Sequence, residues 1–313
     1  LDPLRVRDLI EKDFLKLDLI TGSSERIIFT TEIYIPGLFL SGKVDDIPDD
    51  VILLFTPIEC KFIEQMKSHT KLLNRLKDKQ IPVFIFSDGC IPPDRFKKVA
   101  DDLGIPILST PHNSTRITLL LGDYLRFILA RRQKIHGTLV DVYGVGILFK
   151  GESGVGKSEC ALDLVRKGHR LVGDDFIEII AYPEGKILGR SGAPSPELRF
   201  LMELRGVGFI DVLKSFGVAS VEETKFVDMV VELKSVEDNP FDRLGFEFEK
   251  TQLLGVELPY VRLPVIPGKN ISTVVESLAL KYLIRKMGKH PEKLIEEIFI
   301  DRLKEKDDKE TTG

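Results

Sequence analysis

Apolar residues fall in short runs separated by longer stretches with helical spacing. Val51-Ile-Leu-Leu-Phe55 reads as a buried strand and is followed by a helical pattern from Ile58 to about Leu76. Val83-Phe-Ile-Phe86 repeats the strand signal, and Pro92-Pro93 opens a helix running through Ala100. Ile105-Pro-Ile-Leu108 is a third strand, followed by a helix from about Ser114 to Gln133. Strand then helix, three times over, predicts a mostly parallel sheet covered by helices. Pro82 and Pro106 sit near strand starts, where a missing N–H is tolerated. No phosphate-binding glycine loop occurs in this half; Asp88-Gly-Cys90 is only a turn signal.

The pattern changes at Arg131-Arg132-Gln-Lys134, whose positive charge suits the C-terminal end of a long helix. That run marks the expected boundary between a first domain, 1–130, and a second, 131–313. The second domain is predicted to begin with strand–turn–strand from Thr138 to Lys150 around Tyr143-Gly144, then a glycine loop and a short helix ending at Gly168. Phe176 to Tyr182 and Lys186 to Leu188 read as a hairpin, and Phe226 to Leu233 as a further strand. A proline-punctuated segment runs from Asn239 to Asn270 and reads as loop at Asn239 to Gly245 and at Pro264 to Asn270. Thr273 and Glu276 then suit a capping box opening a helix to about Met287. Apolar residues return at helical spacing between Pro291 and Leu303.

Composition narrows the function classes. Of 313 residues, 43% are hydrophobic and 30% charged, which is ordinary for a soluble globular chain of two packed units. A formal charge of −4 lacks the basic surface that broad nucleic-acid binding needs. No apolar run approaches the ~20 residues that span a bilayer, and no secretory signal pattern opens the chain. Cys60, Cys90 and Cys160 have no metal-ligand spacing, and three cysteines make no disulfide framework, so reduced thiols in the cytoplasm are expected.

The strongest chemical signal is Gly151-Glu152-Ser153-Gly154-Val155-Gly156-Lys157-Ser158, which fits the phosphate-loop pattern G-x-x-x-x-G-K-[ST]. Glycines let such a loop curl so that successive N–H groups converge on phosphate oxygens at a helix N-terminus. Lys157 is expected to reach the β- and γ-phosphates, and Ser158 to offer its hydroxyl to Mg²⁺. Val145 to Lys150 supplies the strand before the loop, and Ala161, Leu162 and Val165 an apolar face on the helix after it.

Val172-Gly-Asp174-Asp175 follows the next apolar run, so its carboxylates are candidates for contacting Mg²⁺ or accepting a proton, or form a solvated acidic turn. His136-Gly137, Glu203-Leu204-Arg205-Gly206-Val207-Gly208 and the loop bearing Arg243 add charged groups, each of which, taken singly, reads more readily as an ordinary surface or packed residue than as a catalytic one.

Taken together, His136-Gly137, GESGVGKSE at 151–159, LVGDD at 171–175 and MELRGVGFIDV at 202–212 resemble the HPr kinase/phosphorylase family across the whole second half. The resemblance implies an α/β protein: an N-terminal α/β domain with a mostly parallel sheet, then a P-loop kinase domain similar to the phosphate-binding core of phosphoenolpyruvate carboxykinase. It implies phosphorylation of a serine on the phosphocarrier HPr with Mg²⁺ and ATP or pyrophosphate. It also implies the reverse phosphorolysis, in which inorganic phosphate attacks and pyrophosphate leaves. By similarity, Asp175 is the base, and the acid in reverse; Lys157 and Arg243 stabilise the transferring phosphoryl group; His136 assists. Ser158 and Glu203 would hold the metal. Met202, Glu203, Leu204, Arg205, Gly206, Val207, Gly208, Phe209, Ile210 and Asp211 would serve both directions. Pro264, Val265, Ile266, Pro267, Gly268 and Lys269 would serve dephosphorylation. A homohexamer is implied as well.

One departure stands out. Ile266 occupies a position the family often fills with a cation, and Lys269 stands where arginine is usual, which loses the two-pronged grip on phosphate. Weak dephosphorylation relative to the family is therefore expected. Two other readings compete: a nucleotide sensor that transfers nothing, and a phosphotransfer enzyme acting on a small molecule.

Overall fold

The structure, a computed structural model, describes residues 3–66, 75–235, 248–266 and 268–288. Two compact units divide the chain, Leu1–Ala130 and Arg131–Gly313. Both are α/β.

In the first unit α1 (Val6–Ile10) precedes β1 (Asp18–Thr21), β2 (Ile33–Tyr34) and α2 (Gly37–Leu40). Then follow β3 (Ile52–Phe55), α3 (Pro57–Gln65), β4 (Phe84–Phe86), α4 (Asp94–Leu103), β5 (Ile107–Ser109) and α5 (Ser114–Ile128). The sheet order is β1-β5-β4-β3-β2, with β2 to β5 parallel and only β1 antiparallel. Strands buried on both faces need apolar residues at every position, which is why these runs are continuous rather than alternating. Leu53, Phe55, Phe84 and Phe86 feed one core, and Ile52, Leu54 and Ile85 the core on the other face. Phe55 stacks on Phe86 with centroids 4.6 Å apart. Thr56 caps α3, accepting from Ile58 N, while Glu59 accepts from Thr56 N.

The second unit runs β6 (Arg132–His136), β7 (Thr138–Val142), β8 (Val145–Lys150), α6 (Lys157–Arg166), β9 (Arg170–Gly173), β10 (Phe176–Tyr182) and β11 (Lys186–Ser191). It continues with β12 (Leu201–Leu204), β13 (Gly208–Asp211), α7 (Val212–Phe216), β14 (Thr224–Phe226), β15 (Met229–Ser235), β16 (Glu249–Leu253), β17 (Val256–Val265) and α8 (Ile271–Lys286). A six-stranded mixed sheet, β16-β17-β15-β8-β7-β9, packs beside a four-stranded antiparallel sheet, β14-β11-β10-β6. On one face of the larger sheet Val140, Ile147, Phe149 and Val231 meet Ala161 and Leu164 of α6 and Val275 and Ala279 of α8. On the other face Leu139, Leu148 and Val172 meet Ile177, Ile179 and Ile187 of the smaller sheet. β15 is parallel to both β8 and β17, so these three strands end on the same edge of the sheet. That edge carries the glycine loop.

Four expectations are corrected. Arg132 to Lys134 do not end a helix; α5 stops at Ile128, and these residues belong to β6, paired antiparallel with β10. The segment between Asn239 and Asn270 holds the β16–β17 hairpin, so Pro264 and Val265 are strand residues. The strand expected at Phe226 to Leu233 is two pieces in two sheets, β14 and β15. Thr273 does not cap α8. Asn270 does, its Oδ1 accepting from Thr273 N at 3.2 Å, and Glu276 turns instead to Lys167, His169 and Tyr143. The pattern at Pro291 to Leu303, Arg243 and Pro267 lie outside the described residues. Among those described, no helix is long and apolar enough to cross a membrane.

Candidate active site

β8 runs directly into the glycine loop, and three of the loop's glycines have positive φ: Gly151 at 138°, Gly154 at 79° and Gly156 at 106°. A side chain at Gly151 is also excluded by space, because its Cβ would sit 2.4 Å from the carbonyl oxygen of Leu233 in β15. Lys157 opens α6 and is 6% exposed. Its Nζ donates to Gly151 O at 3.0 Å and Glu152 O at 2.8 Å, so the ammonium is held under the loop. Burial lowers its pKa, while the charges of Asp174, Asp175 and Glu159 act to raise it.

β9 ends in the two carboxylates, which have different surroundings. Asp174 Oδ1 accepts from Thr138 Oγ1 at 2.6 Å and from Ser158 Oγ at 3.1 Å. Burial raises its pKa, and the two hydroxyls pull it down. The β7–β9 pairing, with Leu139 opposite Gly173, brings Thr138 to this carboxylate. Asp175 turns away into solvent, its side chain 64% exposed. It adopts φ 67°, at the centre of a tight turn in which Phe176 N donates to Asp174 O at 2.9 Å. Gly137 N donates to Asp175 O at 3.0 Å, and His136 Nδ1 lies 3.1 Å from Asp175 Oδ1. His136 is delivered by β6, directly opposite Phe176 of β10, whose ring meets the imidazole edge-on at 5.9 Å.

Residues from four separate stretches of chain thus line one cleft of about 260 Å³: His136, Ser153, Gly154, Gly156, Lys157, Ser158, Glu159, Asp174, Asp175, Glu203 and Arg205. The rest of 202–211 is mostly scaffold. Met202 and Leu204 are buried in the core, and Asp211 caps α7 through Lys214 N at 3.0 Å. Val207 and Phe209 are exposed. Val155 packs on the core instead of facing the cleft. Of the described residues between 264 and 269, none lines the cleft, although β17 ends on the same sheet edge as the loop.

Sequence reasoning missed Thr138. Its only signal was its place immediately after His136-Gly137 at the start of an apolar strand. Reasoning from sequence also gave Asp174 and Asp175 no separate environments.

A strand, a glycine loop and a helix follow in that order, with lysine at the first helical position, so main-chain donors and a cation meet at one helix N-terminus. Comparison with known proteins gives the family. Residues 4–125 match the family model described as HPr Serine kinase N terminus, and residues 128–298 the HPr Serine kinase C-terminal domain. The HPr kinase/phosphorylase of Levilactobacillus brevis is 37% identical over 309 residues, covering 97% of this chain and 96% of its own. That of Geobacter sulfurreducens is 36% identical over 310 residues, covering 96% and 95%. A solved structure, the Hpr(Ser) kinase/phosphatase from Coxiella burnetii, overlaps 50% of this chain and 93% of its own at 29% identity and a TM-score of 0.45. The chain belongs to the HPr serine kinase family.

Proposed function

We propose that this enzyme transfers the terminal phosphoryl group of ATP, or of pyrophosphate, to a serine of HPr, and that it catalyses the reverse phosphorolysis. The observation that carries the proposal is the His136–Asp175 pair, 3.1 Å apart and exposed at the mouth of the cleft that holds Lys157 and Ser158. A serine on a folded partner can reach only a carboxylate that stands in solvent, and Asp175 does.

Forward, the seryl hydroxyl attacks the terminal phosphorus as its proton passes to Asp175. The new oxygen–phosphorus bond forms while the bond to the leaving phosphate breaks. In reverse, an oxygen of inorganic phosphate attacks the phosphoserine, pyrophosphate leaves, and Asp175 returns the proton to the seryl oxygen. One carboxylate serves both directions because the acceptor of a proton in one must be its donor in the other. His136 holds the Asp175 carboxylate towards the cleft. Lys157 and the loop amides hold the phosphates in line, which is most of what phosphoryl transfer requires. Arg243 belongs to this reading by resemblance, outside the described residues.

Hard oxygen donors suit magnesium: Ser158 Oγ, Asp174 and Glu203 line the same cleft. Among the described residues no cluster of three or more His, Cys, Asp or Glu forms a complete metal cage. Ser158 and Glu203 would be the protein ligands of the ion. Bound there, Mg²⁺ supplies charge neutralisation on the phosphates. The cytoplasm is the proposed setting. A hexamer, and likeness of the second unit to the phosphoenolpyruvate carboxykinase core, belong to the same reading.

The test is incubation of purified HPr with the full chain, ATP and Mg²⁺, followed by intact-mass measurement. Gain of one phosphate on a serine supports the proposal. Unmodified HPr with ATP bound to the protein would favour a sensor instead.

A further inference from the structure

One short stretch of chain serves both carboxylates at the end of β9. His136 closes β6 and Thr138 opens β7. Gly137 between them lies so close to β8 that a Cβ there would meet the Phe149 carbonyl oxygen at 2.5 Å. His136 faces Asp175, and Thr138 faces Asp174. Strand register sets the second contact. Val140 pairs with Leu171 but Leu139 with Gly173, so Val172 is an extra residue on β9 and Thr138 falls opposite Asp174. Without that bulge Thr138 would stand opposite Gly173. Thr138 shares its strand face with Val140 and Val142, which pack with α6, the helix whose first turn holds Ser158. Its residue is 0% exposed. Valine would fill that place in an apolar strand with no polar group to satisfy, whereas a buried hydroxyl needs an acceptor. Thr138 Oγ1 has one, donating to Asp174 Oδ1 at 2.6 Å, and the same oxygen accepts from Ser158 Oγ at 3.1 Å.

We propose that Thr138 is a positioning residue for phosphoryl transfer: its hydroxyl fixes the Asp174 carboxylate, which in turn orients the Ser158 hydroxyl towards a phosphate-bound cation. The proposal rests on the phosphoryl-transfer reading above and adds a residue behind those that touch substrate. A hydroxyl has a single proton. Ser158 directs its own at Asp174, which leaves only the acceptor lone pairs of Oγ for a cation. That orientation holds only while Asp174 Oδ1 stays in place. Asp174 lies just past the end of β9, in the tight turn, so strand pairing does not anchor it. Thr138 does, from a strand paired to Phe149 of β8 on one side and to β9 on the other. A hydroxyl-to-carboxylate bond of 2.6 Å is of the short, charge-assisted kind. Thr138 does not line the cleft, so it acts only through its neighbours.

The test uses the full chain with Thr138→Val, which keeps the branched shape and removes the hydroxyl, and Thr138→Ser, which keeps the hydroxyl. Water-proton relaxation with Mn²⁺ in place of Mg²⁺, in the presence of ADP and without HPr, measures how tightly the cation is held. Thr138→Val is expected to weaken Mn²⁺ by about 10- to 100-fold and Thr138→Ser by less than about threefold. Affinity for ADP without a divalent cation should stay within about threefold of wild type in both. On HPr, kcat at fixed Mg²⁺ should fall by about 10- to 100-fold in the Val variant with KM for HPr unchanged, and the Ser variant should keep most of the wild-type rate. Wild-type Mn²⁺ affinity in Thr138→Val overturns the proposal. So does an equal loss in the two variants, which would assign the effect to packing instead of the hydroxyl. If Thr138→Val does not fold, Thr138→Ala decides the matter by the same measurements. If the wild-type chain leaves HPr unmodified, the choice of substrate fails while the Mn²⁺ titrations still decide the part of Thr138.

Discussion

His136 Nδ1 and Asp175 Oδ1 stand 3.1 Å apart, one at the end of β6 and the other just past the end of β9. The contact spans two sheets, since β6 belongs to the four-stranded sheet and β9 to the six-stranded one. Asp175 takes its position from main-chain bonds at Gly137 and in its own tight turn, so its carboxylate is aimed before any substrate arrives.

Replacing Asp175 tests the base role. Its φ of 67° is one that asparagine tolerates and alanine does not, so Asp175→Asn is the cleaner variant. Phosphate transfer to HPr should fall by about 10²- to 10⁴-fold, with ATP affinity within about threefold of wild type. Steady-state kinetics combined with calorimetric titration of ATP separates the two.

Gly154→Ala should damage the loop twice over, by forcing a side chain into φ 79° and by driving Arg205 off its seat. The backbone cost is about 1–2 kcal/mol. Thermal unfolding should show that modest loss, while affinity for a non-hydrolysable ATP analogue falls more than tenfold. Unchanged affinity would contradict the close approach of residues 154 and 205.

Ile266 and Lys269 predict an imbalance between directions. At matched substrate the forward rate should exceed phosphorolysis, and Lys269→Arg should raise the reverse rate several-fold by restoring two-pronged phosphate binding. Assaying seryl-phosphorylated HPr with inorganic phosphate, and following pyrophosphate release, measures this. Equal forward and reverse rates in the wild-type enzyme would refute it.

Stability should depend on Glu276 and on pH. Lys167 lies 2.9 Å from one of its oxygens, and His169 and Tyr143 each 3.1 Å from the other. Lys167 chiefly, with His169 and Tyr143, lowers the Glu276 pKa against the opposing effect of burial. A carboxylate with a lowered folded pKa stabilises the protein above its ordinary value and loses that contribution as pH falls through the folded one. Glu276→Gln should therefore cost about 1 kcal/mol at pH 7, and the gap to wild type should close towards pH 3. Chemical denaturation at the two pH values reads it directly.

How far the sequence could be read varied with the range of the forces involved. β3, β4 and β5 were legible because full burial demands unbroken apolar runs. The β16–β17 hairpin was hidden by Pro259 and Pro264, which suggest loop, although pairing to Lys250 and Lys234 holds both in the sheet. Arg132 and Lys134 looked like a helix end because their charge suits a dipole. What decides their conformation is the edge of a sheet formed by β10, more than forty residues away. Thr273 and Glu276 carried the letters of a capping box, but Lys167 and His169, from another helix end, claimed the glutamate.

The glycine pattern from 151 to 156, Lys157 and Ser158 are dictated by local needs, namely positive φ, a helix start and a cation at the first turn, and a linear string records such needs in full. Which carboxylate meets Ser158, which one stands in solvent beside His136, and which arginine lies on Gly154 are set by strand register and sheet packing. Those contacts join residues that are distant in sequence, and only the folded chain brings them within hydrogen-bonding reach.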